Sequence, residues 1–187
     1  MPVSIQYIYN HNTAAWHSNY DMKIKQTADD VEGDTEEEKD FKNTYPYYLV
    51  DADGTEHYFY KESENKYLDE DGLGYTLSQV STTDVKYEIT DKSGGKMKFN
   101  WNGQLHSVND ANGNRIFVAY RDNFARINYV EDGAGRQYTF VYSGTTLTSI
   151  KDPAGRATTF TYTDTDGKLI RITNPDGGYT NIVYSGN

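Results

Sequence analysis

Side chains that could do chemistry are scattered along this chain rather than gathered. The four histidines are His11, His17, His57 and His106. His11 and His17 share a stretch with Trp16 and Asp21, but they lack helical spacing and a further nearby ligand, so no metal site is assigned. His57 falls in a hairpin and His106 in a later strand, where packing or surface roles account for them. Ser107, Ser143 and Ser149 have neither a nucleophile elbow nor a paired histidine. No glycine-rich phosphate loop precedes a helix, and no helix is expected anywhere. Carboxylates are plentiful, yet they sit in turns, where turn chemistry explains them, and no glycosidase pair stands out. The chain is read as a non-enzyme without cofactor or metal.

One set of side chains recurs with a period and so could act together. Tyr120, Tyr142, Tyr162 and Tyr184 would form a ladder along one face of a sheet. Exposed, such a ladder binds sugar or peptide through ring faces and hydroxyls. Buried, it is core. Burial is the expectation, because the row shares its face with Phe99, Phe140 and Phe160. Arg136 and Arg156 are assigned to turn or inter-repeat contacts rather than to anion binding.

Composition limits the partners. The 187 residues carry a net charge of −10 and a pI near 4.8, which disfavours nucleic acid and anionic membrane surfaces. Hydrophobic content is 36%, but 18 tyrosines and 7 phenylalanines supply large amphipathic side chains. Abundant Tyr and Thr favour strands. With no cysteine there is no disulfide or thiolate zinc site. No apolar run reaches membrane-spanning length. The start, Met1-Pro2-Val3, carries no signal peptide, and the chain is read as an excised fragment.

The elements follow from alternation. Ser4 to Asn10 reads as a strand, His11 to Ala15 as a polar loop and Asn19 to Thr27 as a second strand. Ala28 to Asp40 is acidic and is expected to be a solvated, mobile loop. Its spacing fits no calcium loop. Tyr45 to Tyr60 reads as a hairpin turning at Asp51-Ala-Asp53-Gly54. Tyr67 to Leu77 holds another turn, and Val85 to Thr90 is a strand that leads into a repeat.

That repeat is marked by Gly94, Gly113, Gly135, Gly155 and Gly177, at spacings of 19, 22, 20 and 22. Three residues before them stand Asp91, Asp110, Asp132, Asp152 and Asn174. Five after stand Phe99, Val118, Phe140, Phe160 and Ile182, and seven after stand Trp101, Tyr120, Tyr142, Tyr162 and Tyr184. Leu105/Val108, Ile127/Val130, Leu147/Ile150 and Leu169/Ile172 precede the glycines. Agreement in so many slots defines a structural repeat. Slots five and seven share one strand face. Each repeat is a hairpin joined to the next by the Asp-x-x-Gly turn, with tip turns at Asn102-Gly103, Arg121-Asp122-Asn123, Ser143-Gly144 and Asp166-Gly167. The aliphatic pair, three apart, needs either a bulge or a place in the turn. Hairpins this short must stack to be stable.

The pattern resembles the RHS, or YD, repeat family: tyrosine, a turn, leucine, a Thr-rich strand and Asp-Pro-x-Gly-Arg. Residues 145–167 are close to that form, and the resemblance covers about Val85 to Asn187. Val3 to Leu77 is similar to the stretch upstream of such arrays. Trp101 in a tyrosine slot, Arg121 after Tyr120 and Gly178 in place of arginine depart from the form. The resemblance implies an all-β fold of antiparallel hairpin repeats in a twisted strip, part of a shell, preceded by an irregular β region. The expected division is 1–84, with the acidic loop at 28–40, and 85–187.

The repeat residues that follow are Asp110, Gly113, Tyr120, Asp132, Gly135, Arg136, Tyr142, Asp152, Gly155, Arg156, Tyr162, Gly177 and Tyr184. The resemblance implies a structural segment of a large secreted or cell-surface protein whose shell encloses a C-terminal toxin polypeptide. An adhesion module for glycan or a receptor is the alternative. The implied partners are further repeats and cargo of the same polypeptide, cell-wall glycan under the alternative, and another chain at an unpaired final strand. The array is expected to continue past Asn187.

Overall fold

The computed structural model describes residues 3–10, 15–30, 35–123 and 126–184. The strand β1 (Tyr7–Asn10) pairs with β2 (Ala15–Ser18) in a hairpin of its own. All the other strands join one antiparallel sheet of fifteen, each beside its neighbour in sequence. They are β3 (Lys23–Gln26), β4 (Tyr47–Val50), β5 (Glu56–Ser63), β6 (Lys66–Asp69), β7 (Thr76–Gln79), β8 (Tyr87–Thr90), β9 (Lys96–Phe99) and β10 (Leu105–Asn109), followed by seven more strands. Those are β11 (Arg115–Arg121), β12 (Arg126–Glu131), β13 (Gln137–Ser143), β14 (Thr146–Lys151), β15 (Ala157–Tyr162), β16 (Leu169–Thr173) and β17 (Tyr179–Asn181). The fold is therefore an all-β strip of consecutive hairpins. The turn at Asp51–Gly54 sits between β4 and β5 as read, while the His11–Ala15 loop lies largely outside the described residues.

The chain divides into two compact units. One is Asn19–Phe117; the other is Pro2–Ser18 with Val118–Asn187. In the first, Phe59, Leu77, Ile89, Phe99 and Leu105 are fully buried. There β3 also reaches the turn after β9: the Ile24 N–H donates to the Gly103 carbonyl at 2.7 Å and the Leu105 N–H to the Met22 carbonyl at 3.1 Å. In the second unit the core is built from Val130, Phe140, Leu147, Phe160 and Leu169.

The acidic stretch corrects the loop expectation, and with it the expectation of no helix. Glu36–Thr44 is a helix, α2, preceded by the single turn α1 (Thr27–Asp30); residues 31–34 lie outside the described set. Thr35 forms a capping box with Glu38: its hydroxyl accepts the Glu38 N–H at 3.3 Å, and its own N–H donates to the Glu38 carboxylate at 3.1 Å. Glu36, Glu37 and Glu38 occupy the first turn and Lys42 the last, so the charges oppose the helix dipole instead of simply repelling one another. Phe41 seats the helix against Tyr45 and Tyr58, with ring centroids 5.2 and 5.4 Å away.

The aliphatic pairs are reconciled by bulges. Phe140 faces Ile150 and Tyr142 faces Leu147, leaving Thr148 as the extra residue. Ile170 and His106 are the extra residues in the corresponding places on β16 and β10. One added residue returns both members of the pair to the same face.

Candidate functional site

The joint between hairpins is a side-chain-locked turn. At Asp132 the carboxylate accepts the Ala134 and Arg136 N–H groups at 2.9 and 3.0 Å. The Gly135 N–H closes onto the Asp132 carbonyl at 2.9 Å. Gly135 has φ near +75°, which glycine adopts without the steric cost of a side chain. Arg136 then folds back, with Nε at 2.8 Å and a terminal nitrogen at 2.6 Å from the same carboxylate. Asp152 and Arg156 repeat the arrangement at 2.7 and 2.6 Å. These guanidinium and backbone donors hold both carboxyls below the usual carboxylate range. Asp110 and Gly113 make the turn with Asn114 in the arginine's place. Asn174 and Gly177 make it without a side chain there, because Gly178 follows.

The same turn occurs at Asp51–Gly54 and, with asparagine, at Asn100–Gly103, where the Asn100 side chain accepts the Asn102 and Gln104 N–H groups. Arg136 and Arg156 therefore belong to the turn.

At the opposite end of each hairpin stands the tyrosine. Tyr142 donates its hydroxyl to the Ile127 carbonyl at 3.0 Å, Tyr162 to Leu147 at 2.5 Å and Tyr184 to Leu169 at 2.7 Å. Each reaches a carbonyl fifteen residues earlier, on the preceding hairpin. The ladder geometry explains why. Strands β14 and β15 pair from Lys151↔Ala157 to Ser149↔Thr159, and Leu147 lies beyond that stretch. The tyrosine hydroxyl spans the distance and satisfies the carbonyl. All four tyrosines, Tyr120 included, are half-buried. Arginine guanidiniums of Arg121 and Arg126 lie over the Tyr142 ring at 5.6 and 5.2 Å. In the Trp101 slot the indole N–H donates to the Thr82 carbonyl at 3.0 Å, a similar bond from a larger ring.

The β1–β2 hairpin covers part of this face. Tyr7 lies 5.5 Å from Phe140, and Trp16 lies 4.8 Å from Phe160. The Trp16 indole donates to the Tyr162 hydroxyl at 2.8 Å. The Tyr9 hydroxyl accepts the Leu169 N–H at 3.0 Å. Strand alternation aims Tyr7 and Tyr9 at the repeats and leaves Ile8 exposed. Burial, offset in part by the Trp16 bond, pushes the Tyr162 hydroxyl up to about 12. Sequence reasoning found the strand but not its seat, more than a hundred residues away. The excess of aromatic residues at Tyr7, Tyr9 and Trp16 was the available signal.

The histidines part company. His57 sits between two turns, with Nδ1 2.8 Å from Asp71 and Nε2 3.3 Å from Asp51. His106 packs edge-on to Phe117 at 5.0 Å. His17 lies on β2, and His11 is outside the described residues. Among the described residues no cluster of three or more His, Asp or Glu side chains could hold a metal ion.

This geometry defines a β-hairpin repeat protein in which a turn motif and a tyrosine clasp alternate. Residues 142–179 match the family model described as RHS Repeat, so this stretch of the strip carries an RHS repeat. No curated protein matches it. The RHS repeat is a structural repeat, not a catalytic family, and RHS repeats occur in secreted or cell-surface proteins. Among the described residues no helix is long and apolar enough to cross a membrane.

Proposed function

We propose that this chain is a non-catalytic wall segment of a large secreted or cell-surface protein, helping to build a β-shell around a C-terminal toxin polypeptide. The observation that carries this reading is the one-sided packing of the repeats. Phe140, Leu147, Phe160 and Leu169 are buried on a strip whose joints are locked by Asp–Arg pairs. Such a strip is a rigid surface that can be extended one hairpin at a time. Its partners are further repeats and cargo of the same polypeptide. At the sheet edge, β17 has three exposed residues and offers pairing to a strand of another repeat or of a second copy. Light scattering that shows only monomer at high concentration would argue against the second copy.

Adhesion to cell-wall glycan or a receptor through the tyrosine row has less support. The hydroxyls of Tyr142, Tyr162 and Tyr184 are committed to backbone carbonyls, and Tyr162 lies beneath Tyr9 and Trp16. The test is protease protection in the full-length protein that carries this chain. Polypeptide downstream of the repeats should resist cleavage and become sensitive on Phe160→Ala. Equal sensitivity in the intact protein would refute enclosure.

A further inference from the structure

A second feature lies in the Asn19–Phe117 unit and is independent of the enclosure reading. A cavity of about 410 Å³ is lined by Lys23, Lys25, Lys86, Tyr87, Trp101 and Asn102, among others. The lining holds three lysines against one aspartate, Asp29, in a chain whose net charge is −10, and of the three ammonium groups that of Lys25 lies 5.5 Å from the Tyr48 ring, outside the lining. Trp101 is 53% exposed, in contrast to the aromatic residues of the core. Its indole N–H is held by the Thr82 carbonyl, which fixes the ring.

The wall beneath it is built rather than loose. Asn100 locks the turn through two N–H bonds to its side chain, and Gly103 packs so closely that a Cβ there would fall 2.1 Å from the Ile24 carbonyl oxygen. On β3 Ile24 is buried, and Lys23 to Gln26 together form one side of the cavity. The Lys86 ammonium lies 4.9 Å from the Tyr87 ring and 5.9 Å from the Trp101 ring.

We propose that this cavity binds a saccharide that carries a carboxylate on its sugar ring. A fixed, exposed indole offers a flat apolar face to the C–H side of a pyranose, and few convergent polar groups set orientation. Lys23 and Lys86 supply charge-assisted bonds to the carboxylate. Asn102 serves ring hydroxyls, and Asp29, which also lines the cavity, accepts from them. Asp29 is what separates this ligand from a dense polyanion: a carboxylate in the wall gains from hydroxyls and repels closely spaced phosphates. The overall charge also opposes nucleic acid.

Isothermal titration of the intact chain with digalacturonate tests the proposal, with cellobiose, inorganic phosphate and tetraglutamate as comparison ligands. Digalacturonate is expected to bind saturably, and cellobiose at least about tenfold more weakly, the loss expected when a charged hydrogen bond is missing. Trp101→Ala and Lys86→Gln should each weaken binding about tenfold or more while circular dichroism is unchanged. Lys66→Gln, at the Glu62 ion pair, should leave it unchanged. Absence of digalacturonate binding overturns the proposal. So does equal or tighter binding of cellobiose, which removes the role of charge. Phosphate or tetraglutamate binding as tightly would reassign the cavity to simple anions or to acidic peptide. Parent-like affinity in both cavity variants would place the ligand elsewhere.

Discussion

Tyr47, Tyr67 and Tyr87 in one compact unit, and Tyr142, Tyr162 and Tyr184 in the other, recur at intervals of 20 to 22 residues, one per hairpin. The first set turns its rings toward each other. Tyr47 lies 4.9 Å from Tyr67 and 5.4 Å from Tyr87, and its hydroxyl accepts the Gln79 amide. Burial drives the hydroxyls of Tyr47 and Tyr87 upward in pKa. The second set sends each hydroxyl to the backbone of the hairpin before it. The same residue at the same period is thus a core ring in one unit and a strand clasp in the other. Where tyrosines meet, ring packing carries the energy; where ladders end early, the hydroxyl does.

Substitutions can break that contrast. The largest effect is expected for Tyr47→Ala, which removes a ring touching two others and should cost about 3–5 kcal/mol in urea unfolding. Deleting only a hydroxyl sharpens it. Tyr162→Phe should cost about 2 kcal/mol, because both the Leu147 carbonyl and the Trp16 indole lose a partner. Tyr142→Phe should cost about 1 kcal/mol by the same measurement. Equal losses for these two would mean that the β1–β2 hairpin adds nothing at Tyr162.

Titration gives smaller effects with opposite biological reach. Tyr162 has its hydroxyl raised from 10.0 to about 12, so the folded state keeps the proton that the unfolded chain releases. Its contribution is full below pH 10.0 and is lost as pH rises toward about 12. Ultraviolet difference titration should show the same number of tyrosines ionising below pH about 11 in the parent and in Tyr162→Phe, with the parent's additional tyrosine ionising only above it.

At His57, burial opposes the charge, but the hydrogen bonds it donates to Asp71 and Asp51 overcome it and the pKa is raised above 6.5. Its stabilisation is therefore complete below pH 6.5 and is lost as pH climbs through the raised value. His57→Gln should flatten the stability profile across neutral pH; an unchanged slope would remove the clamp.

Much of the architecture was legible in residue spacing. Asp-x-x-Gly states its own turn, since the carboxylate reaches N–H groups two and four residues on and glycine supplies the backbone angle. The tip at Asp122-Asn123 was legible too, with both residues at positive φ. The bulge was posed as one of two answers to the three-residue spacing, and tertiary pairing chose it. The helix at Glu36–Thr44 was hidden because a run of carboxylates reads as self-repulsion. The capping box Thr35-Glu36-Glu37-Glu38 was in plain sight as the opposing signal.

What the sequence determined by itself is everything carried by contacts a few residues apart: the joints, the hairpins and the periodic face. Only the tertiary structure decided which surface the β1–β2 hairpin covers, which carbonyl each tyrosine serves and which lysines share a cavity with Trp101. Those choices join segments separated by fifteen to 160 residues. No local periodicity specifies them; they follow from which faces remain to be buried once the hairpins have stacked.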